Sequence, residues 1–507
     1  MTNEKKVVLR VENQTKRFTD LIANDCISFD VCKGEIHCLL GENGAGKSTL
    51  AKCLFGAYRP DSGMIYVNES PARFSSPRDA ITVGIGMVHQ HFVLIPPLTV
   101  IENIVVGTEK KGVMLDLKDA RKRITGLCTD YQIELNLDAQ VSTLSVGQQQ
   151  WVEILKALYM GAEILILDEP TAVLTPQESE RLFNTLKKMV SKGLAIILIT
   201  HKLNEVMSIS HRVTVLRKGK VIATHFTSEM SKESLAQLMV GREIDFFLEK
   251  PALEVGKPIC KIENLVVKND FKLDTVKNVS LTIHENEIVG IAGVAGNGQQ
   301  EFFDALVGAR LPCAGKITLD AREISGKMPK ERIQAGVASI PPDRIEQGLL
   351  MGFSVEENLV FGFEDDSRFS NRGFLKNTQI RKFAADSIRN FDISTQGPDY
   401  KAGLLSGGNL QKIILAREVS RNIHFLIASS PTRGLDIGAT EFFYKRLIQM
   451  RNQGAGILLI SEDLDEIFNL SDRIAVIYKG EIMGVFPTKD VTTHQIGLLM
   501  AGIRQGE

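Results

Sequence analysis

The second half of this 507-residue chain repeats the first, so whatever it folds into must be built twice. VVLRVENQTKRF near the start is echoed by PICKIENLVVKN from Pro258, and CKGEIHCLLGENGAGKS by HENEIVGIAGVAGNGQQ from His284. Lys47 and Gln299 lie 252 positions apart, whereas LSVGQQQ from Leu144 and LSGGNLQ from Leu405 lie 261 apart, as do LMVGR from Leu238 and LMAGI from Leu499. Nine residues have therefore entered the second copy between these landmarks. The polar stretch 364–372, EDDSRFSNR, reads as the surface loop that holds them. Each copy, of about 240 residues, is the size of one α/β domain. The expected domains are 1–245 and 258–507. The join, 246–257, falls in a stretch of mixed charge and prolines and reads as a short linker.

Residues 41–49, GENGAGKST, follow the apolar run Ile36–Leu40 and precede a helical stretch over 50–55. Strand, glycine loop and helix in this order, with Gly-x4-Gly-Lys-Ser, form a phosphate-binding loop. Glycines let successive N–H groups of Gly41, Glu42, Asn43, Gly44, Ala45 and Gly46 turn inward around phosphate oxygens, and the helix start adds the positive end of its dipole. Lys47 then brings a cation to the outer phosphates, the Ser48 hydroxyl suits magnesium, and Thr49 ends the nucleotide-binding motif. Further runs at 164–167, 195–199, 213–216 and Ile85–Val88 are short enough for buried strands of a mostly parallel sheet. The run 164–167 delivers Asp168 and Glu169 at its carboxyl end, where ligands of open α/β sheets bind. The run 195–199 delivers Thr200 and His201 at the same edge. Between Gln90 and Ser145 the pattern turns helical, with an exposed apolar entry, HFVLIPPLTV, that Pro96 and Pro97 keep from being one continuous helix.

Composition narrows the class. Sixty basic against 61 acidic residues leave a net charge of −1, which gives no overall footprint for nucleic acid or an anionic membrane. No apolar run reaches the roughly 18 residues of a bilayer span. The start MTNEKK lacks a secretory apolar core, so a cytoplasmic location is expected. The seven cysteines (Cys26, Cys32, Cys38, Cys53, Cys128, Cys260 and Cys313) form no C-x-x-C pair and read as reduced, mostly buried side chains.

GENGAGKST, Gln90, LSVGQQQ, ILILDEP and His201, in this order and spacing, resemble an ATP-binding cassette ATPase, over nearly the whole chain and again in the second copy. The resemblance implies an α/β fold of two tandem P-loop cassettes, each with a mostly parallel core sheet, an antiparallel β part and a helical subdomain. It implies that ATP and Mg²⁺ are the cofactors. Lys47 and Ser48 would hold phosphate and magnesium, Gln90 would contact magnesium and sense a membrane partner, and Asp168 would support magnesium. Glu169 would be the general base, and His201 would contact the terminal phosphate. Phe18 matches an aromatic that stacks on adenine, against the plainer reading of a core phenylalanine.

The second copy is altered on its nucleotide side. Its loop, from Gly293 to Gly298, is followed by Gln299 and Gln300 where Lys and Ser are needed. Ser429 and Ser430 replace the two carboxylates, Glu462 replaces the histidine, and Pro342 stands at the glutamine position. Its signature is whole at Ser406, Gly407 and Gly408, with Asp436 downstream. The first copy follows Ser145 with Val146 and has Thr175 at the aspartate position. In this family each phosphate loop is completed by the opposing copy's signature. Head-to-tail pairing of the two copies would then gather every intact part into one composite site, most simply within one chain, with pairing between chains as the alternative.

Three classes of cassette protein compete: an importer's ATPase, a soluble translation factor and a DNA-repair protein; an exporter would usually fuse membrane helices to its cassette. The short linker, the altered second copy and the lack of cysteine-rich zinc modules favour the fused two-cassette ATPases of bacterial monosaccharide and nucleoside importers. VHQHFVLIPPLTVIENI, DEPTAVLTPQE, AGNGQ and PTRGLD resemble the nucleoside branch served by a surface lipoprotein, although PPDR stands where Pro-Glu-Asp-Arg is more usual. The implied partners are two membrane permease subunits, with the lipoprotein reached indirectly, at the cytoplasmic face of the membrane.

Overall fold

The structure is a computed structural model that describes residues 6–19, 21–90, 92–107, 116–171, 174, 176–242, 250–251, 253–294 and 296–504. The chain divides into two compact units, Met1–Ile244 and Asp245–Glu507. In the first, a six-stranded sheet runs in the order Lys220–Phe226, Arg212–Arg217, Ile36–Leu40, Ala195–Thr200, Ile164–Asp168, Ile85–Val88. All neighbours are parallel except the first pair. Every residue of Ile36–Leu40, Ile164–Asp168 and Ala195–Thr200 is buried, as expected of a parallel sheet covered on both faces. The edge strand Lys220–Phe226 instead alternates exposed and half-buried residues. A separate antiparallel sheet pairs Val7–Phe18 with Leu21–Cys32 on one side and Ser62–Val67 on the other.

The second unit repeats both sheets. Its six strands run Val337–Ile340, Phe425–Ser429, Gly456–Ser461, Glu287–Ala292, Arg473–Tyr478, Glu481–Pro487, again parallel except at the last pair. The α/β expectation, with its antiparallel part and helical insertion, describes both units.

The helical stretch after Gln90 contains Val100–Val105 and Leu117–Tyr131. Thr99 starts the first of these through a reciprocal capping box with Glu102. Fully buried Asn103 fixes the preceding turn, its amide donating to the carbonyls of Ile95, Leu98 and Thr99 while its oxygen accepts from Ile95 N. Asn358 does the same for Leu350 in the second unit. Val93 and Ile95 of the apolar entry are exposed, as the sequence predicts.

Three expectations change. The stretch 364–372 is more than a polar loop: Phe369 is buried with Phe363 and Ile380 in a small core of its own, its ring 4.9 Å from Phe383. One aromatic in a polar run is enough to anchor it. The middle of the expected linker is tied to the second unit, where Lys250 Nζ donates to the carbonyl of Ser471 at 2.6 Å and Arg451 Nη1 to that of Pro251 at 3.0 Å. Of the seven cysteines, all free, Cys38, Cys53 and Cys260 are buried, Cys32 and Cys128 are half-buried, and Cys26 and Cys313 are exposed.

Candidate functional site

The phosphate loop of the first unit is shaped by backbone that only glycine tolerates. Gly46 has φ +97°, and a Cβ there would stand 2.3 Å from the carbonyl of Ala23. From it springs the helix Lys47–Leu54, three residues earlier than the sequence reading placed it. Lys47 is buried, and its Nζ donates to the carbonyls of Gly41 at 2.6 Å and Glu42 at 2.9 Å, which folds the ammonium back over the loop. Burial pulls its pKa down, against the attraction of Glu169 and Asp168.

Two parallel strands deliver the carboxylates and the histidine to the loop. Ser48 Oγ donates to Asp168 Oδ1 at 3.3 Å. Burial raises the Asp168 pKa, partly offset by that hydrogen bond. Glu169 follows in the left-handed region, with φ +49°, its N–H held by the carbonyl of Ile199 at 2.9 Å. Its carboxylate lies 2.8 Å from His201 Nδ1, and it accepts from Gln90 Nε2 at 3.1 Å. Burial works against its charge, but the His201 contact and the nearby Lys47 and Lys202 prevail, and its pKa falls below the ordinary value. Gln90, Glu169 and His201 come from separate strand ends and converge on one carboxylate. Phe18 is not a core residue: 38% exposed, it packs edge-on against Tyr58 at 5.3 Å.

The second unit keeps this backbone and changes its chemistry. Gly298 has φ +95°, and a Cβ there would meet the carbonyl of Thr275 at 2.2 Å. Gln299 Nε2 donates to the carbonyl of Val294 at 2.9 Å, the position matching Glu42, so the amide takes over one of the lysine's loop contacts without its charge. Gln300 turns along its own helix to Asp304 at 2.8 Å. Ser430 retains the left-handed turn of Glu169, with φ +44°, while Ser429 is buried and Glu462 exposed.

Ser406 N-caps the helix Gly407–Val419 and accepts from Asn409 Nδ2 at 2.8 Å. Asp436 caps the helix Ile437–Asn452 through Ala439 N at 2.7 Å, with Gly408 beside it. Ser145 caps Val146–Tyr159 in the first unit, bordering a cleft of about 500 Å³ lined by Trp151, Gln150, Glu178 and Arg181 rather than by the phosphate loop. Thr175 lies outside the described residues.

The sequence reading missed Glu205. Buried at the start of the helix Leu203–Ile209, it accepts from Thr200 Oγ1 at 2.7 Å and from Thr171 Oγ1, so it ties the segment after Glu169 to the segment before His201. Glu466 holds Thr432 at 2.7 Å in the second unit. The two glutamates share the offset of 261, a signal that the repeat itself carried.

Fold and site together define a P-loop ATPase built from two cassettes. The family model for ABC transporters matches residues 25–172 and again 276–433. The nucleoside import ATP-binding protein NupA of Lactococcus lactis is 45% identical over 99% of both chains. The guanosine import ATP-binding protein NupO of Bacillus subtilis is 46% identical over 99% of this chain and 98% of its own length. The glucose import ATP-binding protein TsgD13 of Haloferax volcanii is 43% identical over 97% of this chain and 96% of its own. A solved structure of an RNase-L inhibitor covers 97% of this chain with a TM-score of 0.65 at 19% identity, which is a likeness of fold alone. The chain belongs to the ABC transporter family, as its ATP-binding and ATP-hydrolysing component. Among the described residues no helix is long and apolar enough to cross a membrane.

Proposed function

We propose that the chain energises a nucleoside importer through one hydrolytic site, made by the phosphate loop of the first unit and the signature of the second. The observation that supports it most is the sorting of chemistry between the copies. Lys47, Ser48, Asp168, Glu169 and His201 all stand in the first unit, with Ser48 bonded to Asp168 and His201 to Glu169, whereas Gln299, Gln300, Ser429 and Ser430 of the second carry no charge and Glu462 puts an anion where the histidine stands. The two-glycine signature belongs to the second unit and not the first.

In this reading Lys47 and the loop N–H groups hold the phosphates and Phe18 stacks on adenine. Glu169, kept ionised and oriented by His201 and Gln90, takes a proton from the attacking water. That oxygen bonds to the terminal phosphorus as the bridging P–O bond breaks and ADP departs. His201 contacts the terminal phosphate, and Ser406, Gly407 and Gly408, with Asp436 fixing the neighbouring helix, close over it. Ser48, Gln90 and Asp168 would hold Mg²⁺. Ser48 Oγ and Asp168 Oδ1 already lie 3.3 Å apart, and hydroxyl, amide and carboxylate oxygens suit a hard cation. When bound, the ion neutralises phosphate charge. The domains are drawn at 1–245 and 258–507. The chain works at the cytoplasmic face of the membrane with two permease subunits, docked through the exposed residues after Gln90 and Pro342, and a substrate-binding lipoprotein delivers the cargo.

Nucleoside as cargo is supported by the Lactococcus and Bacillus relatives. The Haloferax relative supports a second reading, a monosaccharide. The test is ATPase activity of the assembled transporter, with guanosine or glucose on the binding protein, in wild type, Lys47→Ala, Gln299→Ala and Ser406→Arg. Stimulation by guanosine, with loss in the Lys47 and Ser406 variants only, is expected. Stimulation by glucose alone selects the second cargo, and equal loss from Gln299→Ala refutes the single site.

A further inference from the structure

Two rings of the first unit stand on the segments that flank its phosphate loop. Phe18 ends the strand Val7–Phe18, whose partner Leu21–Cys32 passes Ala23 against Gly46 of the loop. Tyr58 lies just past the helix that the loop launches, its N–H donating to the carbonyl of Lys52 at 3.0 Å. The rings meet edge-on, with 5.3 Å between centres and 73° between planes, a favourable arrangement because the positive edge of one ring faces the negative face of the other. Asp61 fixes the strand end, accepting from Arg17 N at 2.6 Å and from Lys16 Nζ at 3.3 Å, and the Lys16 ammonium lies 5.4 Å from the centre of the Phe18 ring. Phe18 is thus held on two sides, yet 38% of it is exposed.

The second unit puts different chemistry into the same contact. Asp270 and Arg310 stand 252 positions beyond Phe18 and Tyr58, the offset that also joins Lys47 to Gln299. Arg310 Nη2 donates to Asp270 Oδ1 at 2.8 Å, and its Nη1 to the carbonyl of Lys268 at 3.0 Å. The two positions therefore touch in both units, as ring on ring in one and as an ion pair in the other. A contact needed only to tie the strand end to the helix end is made equally well by an ion pair. The rings are kept in the unit that also keeps Lys47, Ser48 and Glu169, so a flat apolar surface has a use there.

We propose that Tyr58 is a positioning residue for nucleobase binding: its ring holds the exposed Phe18 ring at the angle that receives the adenine of ATP. The assignment rests on the adenine-stacking role given to Phe18 above. A ring left unheld turns about its side-chain torsions and must be ordered when the base arrives, and that cost falls on affinity. A ring already fixed by Tyr58 and Lys16 leaves more of the stacking energy for binding. Asp270, whose side chain is charged and 84% exposed, offers no such surface at the matching position.

The test measures ATP hydrolysis by the full chain assembled with its permeases, taking kcat, KM for ATP and the inhibition constant of inorganic triphosphate, which has the phosphates and no base. Tyr58→Ala should raise KM about tenfold, with kcat within about threefold and the triphosphate constant within about twofold. Tyr58→Phe should behave as wild type, since the ring and not the hydroxyl is required. Phe18→Ala should raise KM at least as much, and adding Tyr58→Ala to it should cost nothing further. Phe18→Asp with Tyr58→Arg, a pair that the second unit accommodates, should bind triphosphate as wild type does and ATP as weakly as Phe18→Ala. Tyr58→Ala at the wild-type KM, with Phe18→Ala impaired, overturns the positioning role and leaves the adenine reading standing. A wild-type KM in Phe18→Ala removes the adenine reading and this role with it. A loss that falls equally on ATP and triphosphate, or that is as large in Tyr58→Phe, makes Tyr58 a support of the phosphate loop and overturns the proposal.

Discussion

The loops 41–48 and 293–300 separate shape from chemistry. Gly44 and Gly46 have φ of +80° and +97°, and Gly296 and Gly298 have +86° and +95°. Both loops lie on an antiparallel hairpin, through Ala23 in one and Thr275 in the other, and both launch a helix from a left-handed glycine. Lys47 crosses its loop to two carbonyls, and Gln299 crosses its own to one. A loop of this kind does not need the lysine to fold; it needs glycine, and any side chain with an N–H at the right reach. The lysine adds a cation, at the cost of burying it. The second copy therefore shows what the scaffold looks like once catalytic charge is removed, and the same is true of the turn that carries Glu169 in one unit and Ser430 in the other.

The sharpest break of this comparison is at the base. Glu169→Gln should lower kcat by about 1,000-fold, within the range for a general base, while ATP remains bound. Ser430→Glu in that background should restore nothing, since Gln299 and Glu462 cannot orient it. Recovery, read from single-turnover ATP hydrolysis, would mean that the second site is competent.

The next effect is on stability, and it runs the other way, touching only the second unit. Arg332 is fully buried and donates to the carbonyls of Ala305 and Leu306 at the end of the helix Gln299–Val307, and to those of Ser325 and Lys327. The matching residue of the first unit is buried Ala80. Burial lowers the Arg332 pKa to about 10, so it stays charged at neutral pH. Arg332→Ala should cost roughly 3 kcal/mol by stranding buried carbonyls, seen as earlier urea unfolding of the second unit with ATP affinity unchanged.

A smaller difference depends on pH. Burial raises the Glu466 pKa to about 7 against an ordinary 4.5, opposed by hydrogen bonds from Ser461 and Thr432. Between those two values the folded unit holds a proton that the unfolded chain has released, so its stability should fall as pH rises from about 5 to 8. Glu466→Gln should flatten that slope in thermal unfolding. Unchanged slopes would place the proton elsewhere. Smallest of all, Gln299→Ala removes one loop hydrogen bond and should cost about 1 kcal/mol, measured by the same unfolding.

Much of this was legible before folding. The strands Ile36–Leu40 and Ile85–Val88 fall where their mostly apolar runs do, because both faces of a parallel sheet are covered, and the one polar residue, His37, is satisfied by Glu35 and Thr214. The others run one or two residues further: Asp168, Thr200 and Ser429 are strand residues although polar, since the ladder holds them at the site. The helix Lys47–Leu54 begins before its apolar residues because a left-handed glycine starts it. Phe369 within EDDSRFSNR could not be read as buried, since its partners Phe363 and Phe383 have no pattern in common with it. Glu205 was hidden for a similar reason: one partner, Thr171, is 34 residues away, and an early helical glutamate usually faces water.

The sequence by itself determined that there are two cassettes, which of them carries the lysine, the carboxylates and the histidine, and which carries the two-glycine signature. Those are matters of residue type and spacing, which a repeat displays directly. Only the tertiary structure decided that Gln90 and His201 meet on Glu169, and that Gln299 replaces a lysine's contact without its charge. The first joins residues from different strand ends, and the second folds a loop back on itself. Their distance is set by the register of the parallel strands and by backbone angles open to glycine, and neither leaves a periodic trace in the chain.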